Sequence, residues 1–165
     1  MSRTLHPAPL TAEAFAPFGE VITAAGPALA INYGATQKFA DLARVATDGN
    51  GRTAVHIYRS TPPTFPFALR VMENHPLGSQ LFMPLSGRPY LVVVAPPGVF
   101  DATAIRAFVA GPEQGVNLAP GTWHHFNLAL GGVSDFLVID REGPGDNCEE
   151  IALDGSILLA APEMA

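Results

Sequence analysis

The chain has 165 residues, with 48% hydrophobic and 15% charged side chains and a formal net charge of −6. That length suffices for one unit with a real core, and a single domain over residues 1–165 is expected. The nine Lys and Arg are scattered, which leaves no basic footprint for nucleic acid, and the longest uninterrupted apolar run, "YLVVVA", is far too short to cross a bilayer.

The opening stretch "MSRTLHPAPLTAEAF" lacks the apolar core of a secretory signal. Cys148 is the only cysteine, so no intrachain disulfide exists. Both features predict a reducing, cytoplasmic setting. "TAEAFAPFG" predicts the one clear helix, with Thr11 as N-cap and Gly19 past its end. "INYG", with Asn32 and Gly34, fits a turn or a segment that approaches substrate closely. "TQKFADLARV" fits a short helix or an irregular segment, with Lys38 and Asp41 solvated.

The remaining apolar runs are short and are punctuated by 16 Gly and 16 Pro. "GEVIT", "TAVHIYRS", "QLFMPL", "YLVVVA", "AIRAFVA", "GVNLA", "WHHFNLAL" and "SDFLVID" all read as strands. So many strands with few short helices predict an all-β barrel or sandwich. A surface this poor in charge predicts a subunit interface, and a homodimer is the expected assembly.

"PGTWHHF", residues 120–126, sets two histidines side by side on a predicted strand. Strand neighbours point to opposite faces, so only one of them can look inward. Gly131-Gly132 between two apolar runs reads as a two-residue hairpin loop. In that register His124, Phe126, Asp135 and Leu137 share a mostly apolar face. Trp123, His125, Phe136 and Asp140 share the other. His124 is then the inward histidine.

"MENHPLGSQLFMPLSG" carries a second constellation, Glu73-x-His75-x4-Gln80-x6-Gly87. This spacing resembles the first motif of the cupin superfamily, usually His-x-His, then Glu, then Gly. Here Glu73 replaces the first histidine and Gln80 the glutamate. "APGTWHH" resembles the second cupin motif and places His124 at its histidine. The resemblance implies a cupin-like β-barrel or jelly roll. Glu73, His75 and His124 make a two-histidine, one-carboxylate set, with Gln80 a neutral fourth ligand. The same side chains also fit a buried hydrogen-bonded trio without metal.

Other polar residues have two readings each. Arg59 fits an exposed strand-end arginine or a carboxylate clamp. Asp140-Arg141 fits a surface ion pair or a polar cluster at the site. His56, alternating with Tyr58, fits a satisfied core histidine better than a ligand. Cys148, beside three acids in "GDNCEE", is expected to have a raised thiol pKa rather than a nucleophile's lowered one.

From about residue 9 to residue 150 the chain resembles the ureidoglycolate lyase family. The stretches that carry the likeness are "PLTAEAFAPFGEVI", "INYGATQKFADLARV", "MENHPLGSQLFMPLSG", "QGVNLAPGTWHH" and "SDFLVIDREGPGDNCEE". The resemblance implies cleavage of ureidoglycolate to glyoxylate and urea, a cupin-like fold, a dimer and a divalent metal such as nickel, with no organic cofactor. Lys38 stands near where similar proteins more often place an arginine.

That reaction needs a base for the hydroxyl proton, an acid for the leaving urea nitrogen and a clamp for the carboxylate. His75, His124 and Glu73 are the expected catalytic residues, and Glu73, His75, Gln80 and His124 the expected metal ligands. Arg59, Lys38, Asn32, Gln80 and Asp135 are the expected substrate contacts. The rival readings are a non-catalytic cupin module that binds a small carboxylic acid and a metal-dependent cupin oxygenase or isomerase. The rival module has no need of both Glu73 and His124.

Overall fold

A computed structural model describes residues 3–163. The chain begins with β1 (Arg3–Leu5), β2 (Ala8–Pro9), α1 (Ala12–Phe15) and β3 (Gly19–Ile22). A hairpin follows, made of β4 (Leu29–Ile31), a 3-10 turn (Asn32–Gly34) and β5 (Thr36–Lys38). Next come β6 (Arg52–Ser60), β7 (Phe67–Ala68), β8 (Val71–Asn74), β9 (Gln80–Pro84) and β10 (Tyr90–Ala95). After a second 3-10 turn lie β11 (Arg106–Ala110), β12 (Gly115–Leu118), β13 (Trp123–His124) and β14 (Leu128–Ala129). β15 (Ser134–Glu142), β16 (Glu149–Ala152) and β17 (Ile157–Leu159) complete the order.

The all-β expectation is borne out. One large sheet runs β16-β8-β13-β10-β11-β2, with β14 also on β10. A five-stranded sheet runs β3-β12-β9-β15-β6, and a three-stranded sheet runs β1-β17-β7. Period-2 alternation explains why these layers stack. Tyr90, Val92 and Val94 of β10 pack with Phe82, Val116, Phe136 and Val138 of the five-stranded sheet in one core. Leu91, Val93 and Ala95 of the same strand point the other way, into a second core with Leu5, Ile157 and Leu159 of the small sheet. β10 is apolar throughout because both of its faces are covered.

The helix is shorter than expected. Thr11 Oγ1 caps it by accepting from the Ala14 N–H at 3.2 Å, but the helix stops at Phe15. Residues 36–45 form no helix, only β5 and then irregular chain. "WHHFNLAL" is not one strand but two short ones, interrupted at residues 125–127.

The hairpin register centred on Gly131-Gly132 is wrong. β13 and β14 pair with β10, whereas β15 pairs with β6 and β9. Residues 130–133 carry the chain from one sheet to the other. Gly132, at φ 159°, is too extended for the tight primed turn the dipeptide suggested.

Candidate active site

The site lies between the inner faces of the two large sheets. β13 pairs with β8 so that His124 and Glu73 are direct partners, and their side chains therefore share a face. His124 is 2% exposed, and its Nε2 lies 3.4 Å from Glu73 Oε1. That approach holds the Glu73 carboxyl below its usual range, with burial opposing it.

Pro120-Gly121 is the turn that sets this up. Gly121 adopts φ 79°, a conformation glycine takes without strain. Its N–H donates to the His75 carbonyl at 3.0 Å, which ties the two histidine-bearing segments together. The His75 and His124 rings then stand 5.1 Å apart.

Both rings are oriented by the backbone. His75 Nδ1–H donates to the Asn147 carbonyl at 2.7 Å, and His124 Nδ1–H to the Thr122 carbonyl at 3.0 Å. Each ring thereby has its Nδ1 committed to the backbone and turns its Nε2 toward the cup. Neither Nε2 atom has a hydrogen-bond partner, although both are buried. One ligand atom each from Glu73, His75 and His124 lies within 4.8 Å of the others.

Across the barrel, the five-stranded sheet supplies a second group. Gln80 is buried, its Nε2 donates to Asp140 Oδ2 at 3.4 Å, and its Oε1 has no partner. His56 Nε2 lies 3.1 Å from Asp140 Oδ1. Tyr58, two residues along the same face of β6, rests edge-on against Phe82. Burial raises its phenol pKa, and the negative charges of Asp140, Glu73 and Glu142 raise it further.

The donor set fits a divalent metal. Two oriented imidazoles with orphaned Nε2 atoms, one carboxylate and an unpartnered amide oxygen are borderline and hard donors suited to nickel, zinc, manganese or iron.

His124 thus faces the cup as expected, but through its pairing with β8, not through the Gly131-Gly132 register. His125 lies on the opposite face, T-stacked on Phe67 at 5.5 Å, and burial lowers its pKa. Phe126 does not line the cup; it is exposed and stacks on His125. Asp135 and Arg59 are also outside it. They are cross-strand partners on the outer face, joined by bonds of 2.7 and 2.9 Å. Strand alternation puts Phe136 and Val138 in the core, which forces Asp135 out and Asp140 in.

Asp140 and Arg141 do not pair with each other. Arg141 is buried on the far side, donating to the Asp48 and Pro144 carbonyls. Lys38 and Asn32 are exposed on the β4–β5 hairpin, which pairs with no other strand, and Asp41 is exposed as expected. Cys148 is exposed, with Sγ 3.9 Å from Glu73 Oε2. Its thiol is pushed up by burial first, then by Glu73 and Glu150.

Two participants escaped sequence reasoning. His56 is half-exposed to the cup rather than a core histidine. Its alternation with Tyr58 was the available signal, but its partner Asp140 came from the wrong face assignment. Asn147, within "GDNCEE", orients His75 and also accepts from the Leu77 N–H at 2.8 Å. No sequence spacing announces that contact.

The family model described as "Ureidoglycolate lyase" matches residues 2–160. The chain belongs to that family. A Burkholderia mallei (strain NCTC 10229) protein named ureidoglycolate lyase is 52% identical over 159 residues, covering 95% of this chain and 94% of that one. "Ureidoglycolate lyase 1" of Rhizobium meliloti (strain 1021) is 46% identical, with coverage of 98% and 96%. The ureidoglycolate lyase of Agrobacterium fabrum is 44% identical, with coverage of 99% and 100%.

Proposed function

We infer that this protein is a lyase that cleaves ureidoglycolate to glyoxylate and urea. The observation that carries the reading is the pair of oriented, unpartnered Nε2 atoms of His75 and His124 beside Glu73, in a chain of the ureidoglycolate lyase family. A module that only bound a small acid would have no use for two buried bases left without partners, each a costly group to leave unsatisfied.

The substrate is a carbinolamide: one carbon bears a hydroxyl, a carboxylate and the urea nitrogen. Cleavage takes the hydroxyl proton to a ring nitrogen, forms the C=O bond and sends the C–N electron pair to nitrogen. That nitrogen leaves as urea once it gains a proton. In the metal-free cup His75 Nε2 is the assigned base, because the Asn147 carbonyl fixes its Nδ1–H and keeps the lone pair on the cup side. His56, held by Asp140, is placed across the cup to return a proton to the urea nitrogen. In that metal-free cup Gln80 Oε1 is also a free acceptor for a urea N–H.

A divalent metal, nickel or similar, would be held by Glu73, His75, His124 and Gln80. When bound it supplies Lewis-acid polarisation of the hydroxyl and a grip on the carboxylate. His124 and Glu73 then serve as ligands, and without it they stand 3.4 Å apart beside the base. No organic cofactor is proposed. The test is release of urea and glyoxylate from ureidoglycolate, with and without chelator, alongside elemental analysis of the purified protein. Absence of both products would overturn the reading.

The assembly proposed is a homodimer in the cytoplasm. Val55 and Ile57, on the outer face of edge strand β6, are 65% and 57% exposed, an apolar surface suited to a self-complementary contact. The lone free thiol fits a reducing compartment.

A further inference from the structure

Among the described residues no cation is bonded to the cup, and three exposed cations, Lys38, Arg44 and Arg70, have side chains without a hydrogen bond or ion pair; of these only Lys38 stands on a hairpin that pairs with no other strand. Ureidoglycolate is a carboxylate, yet the cup is lined by Glu73 and Asp140, with Glu142 at 3.8 Å from His56. Among the described residues, no hydrogen bond or ion pair of an Arg or Lys reaches Glu73, His75, Gln80, His124 or Asp140. Arg52 is taken by Glu142, Arg59 by Asp135, and Arg141 by backbone carbonyls. Lys38, the chain's single lysine, is exposed and makes no such contact.

The element that carries Lys38 is unusual in its own right. Strands β4 and β5 pair only with each other, and the hydrogen bonds found for residues 29–38 close within that segment. None of residues 24–41 is buried. Tyr33 is fully exposed and Leu29 is 62% exposed. Asn32, Tyr33 and Asp41 all hold left-handed φ values, of 53°, 58° and 57°. Non-glycine residues keep such values where surroundings over-determine them, and a bare two-stranded hairpin is marginal in water. The hairpin has the character of an arm that meets a second body.

We propose that the β4–β5 hairpin of one chain reaches over the cup of a second copy, where Lys38 binds the substrate carboxylate. This rests on the lyase reading for the substrate, and on charge complementarity for the partner. A cup rich in carboxylates and an arm bearing the one unpaired lysine belong to the same sequence, so a two-fold dimer satisfies both at once. Tyr33 and Leu29 gain cover in the same contact. The site is then composite: base, acid and ligands from one protomer, the clamp from its partner.

Cys148 makes a test that does not depend on activity, because its exposed thiol marks the rim of the cup beside Glu73. Lys38→Cys protein treated with a short bis-maleimide is expected to give a covalent dimer. The wild type and the Lys38→Cys/Cys148→Ser variant are expected to give none. A cross-link within one chain, or no cross-link at all, overturns the arm-in-partner arrangement.

Activity then tests the role of Lys38. Lys38→Ala is expected to raise KM for ureidoglycolate roughly 10-fold or more, the cost of a lost charge-assisted bond, with Lys38→Arg recovering part of it. Unchanged KM in Lys38→Ala overturns the clamp even if the cross-link forms. Inactive His124→Ala, mixed and re-equilibrated with Lys38→Ala at substrate well below KM, is expected to give heterodimers with one intact site. Roughly a quarter of all sites is then restored, since half the dimers are mixed and each holds one good site. Activity no higher than the average of the two parents overturns sharing. If the wild type releases no urea, the lyase reading fails, while the cross-link still decides where the arm sits.

Discussion

Glu73 and His124 are direct cross-strand partners, with Oε1 3.4 Å from Nε2, and this single pairing decides which of two adjacent histidines faces the cup. β13 is only Trp123–His124, so there is no long strand to average out an error of register. His124→Ala is expected to lose activity by on the order of 10²-fold or more, as base partner or ligand. His125→Ala is expected to keep kcat and lose stability, because its buried ring packs on Phe67. Turnover and thermal melts of both variants check this. A dead His125→Ala beside a normal His124→Ala would place the wrong ring in the site.

His56 and Asp140 yield the second prediction. They make a 3.1 Å contact on the inner face of β6 and β15, and the proposed reaction assigns them the proton returned to the urea nitrogen. His56→Gln is expected to cut kcat by roughly 10²-fold, with KM and bound metal little changed. Asp140→Asn is expected to fall in the same direction, since Asp140 also receives Gln80 Nε2. Steady-state kinetics with elemental analysis separates this from lost metal binding. Wild-type kcat in His56→Gln would remove His56 from the chemistry.

Arg59 gives a third, negative expectation. Its guanidinium is committed to Asp135 on the outer face, and both groups are solvated. Exposed pairs of this kind contribute little to stability. Arg59→Ala is therefore expected to leave KM for ureidoglycolate unchanged and to move the melting temperature only slightly. A tenfold rise in KM would show that Arg59 reaches the substrate after all.

How far the sequence carried these assignments depended on what kind of signal each residue left. β10 and β15 were readable because alternation and apolar runs report burial directly. β8 has only four residues, two of them polar, so no apolar pattern marks it as a strand. The ligand set followed from the Glu73-x-His75 spacing and from the Pro-Gly turn before His124. The faces of Asp135 and Asp140 were inverted because Gly131-Gly132 looks locally like a hairpin, whereas the packing of Phe136 and Val138 sends β15 to the other sheet. Asn147 and His56 act through partners about 70 or more residues away, contacts that no local pattern encodes.

The last prediction concerns Tyr90, which is fully buried on β10 and stacks edge-on against Phe136 at 5.1 Å. Its hydroxyl donates to the Gln114 carbonyl at 2.9 Å. Burial raises the phenol pKa well above its usual value near 10. Below about pH 10 the folded and unfolded chains both keep this proton, so Tyr90 contributes no pH dependence. Above it the unfolded chain ionises first and binds fewer protons than the folded one. Stability must then fall as pH rises, by up to about 1.4 kcal/mol per unit from this group. Tyr90→Phe removes that limb but leaves the Gln114 carbonyl without its donor, a cost of about 1 kcal/mol at neutral pH. The variant is thus expected to melt below the wild type between pH 7 and 9, and the gap to close within roughly one unit above pH 10. Tyr58, whose pKa is also raised, is present in both proteins and cancels in the difference. Denaturant melts of the two proteins from pH 8 to 11 check this, and a gap that stayed constant across that range would show that Tyr90 ionises no later in the fold than in the open chain.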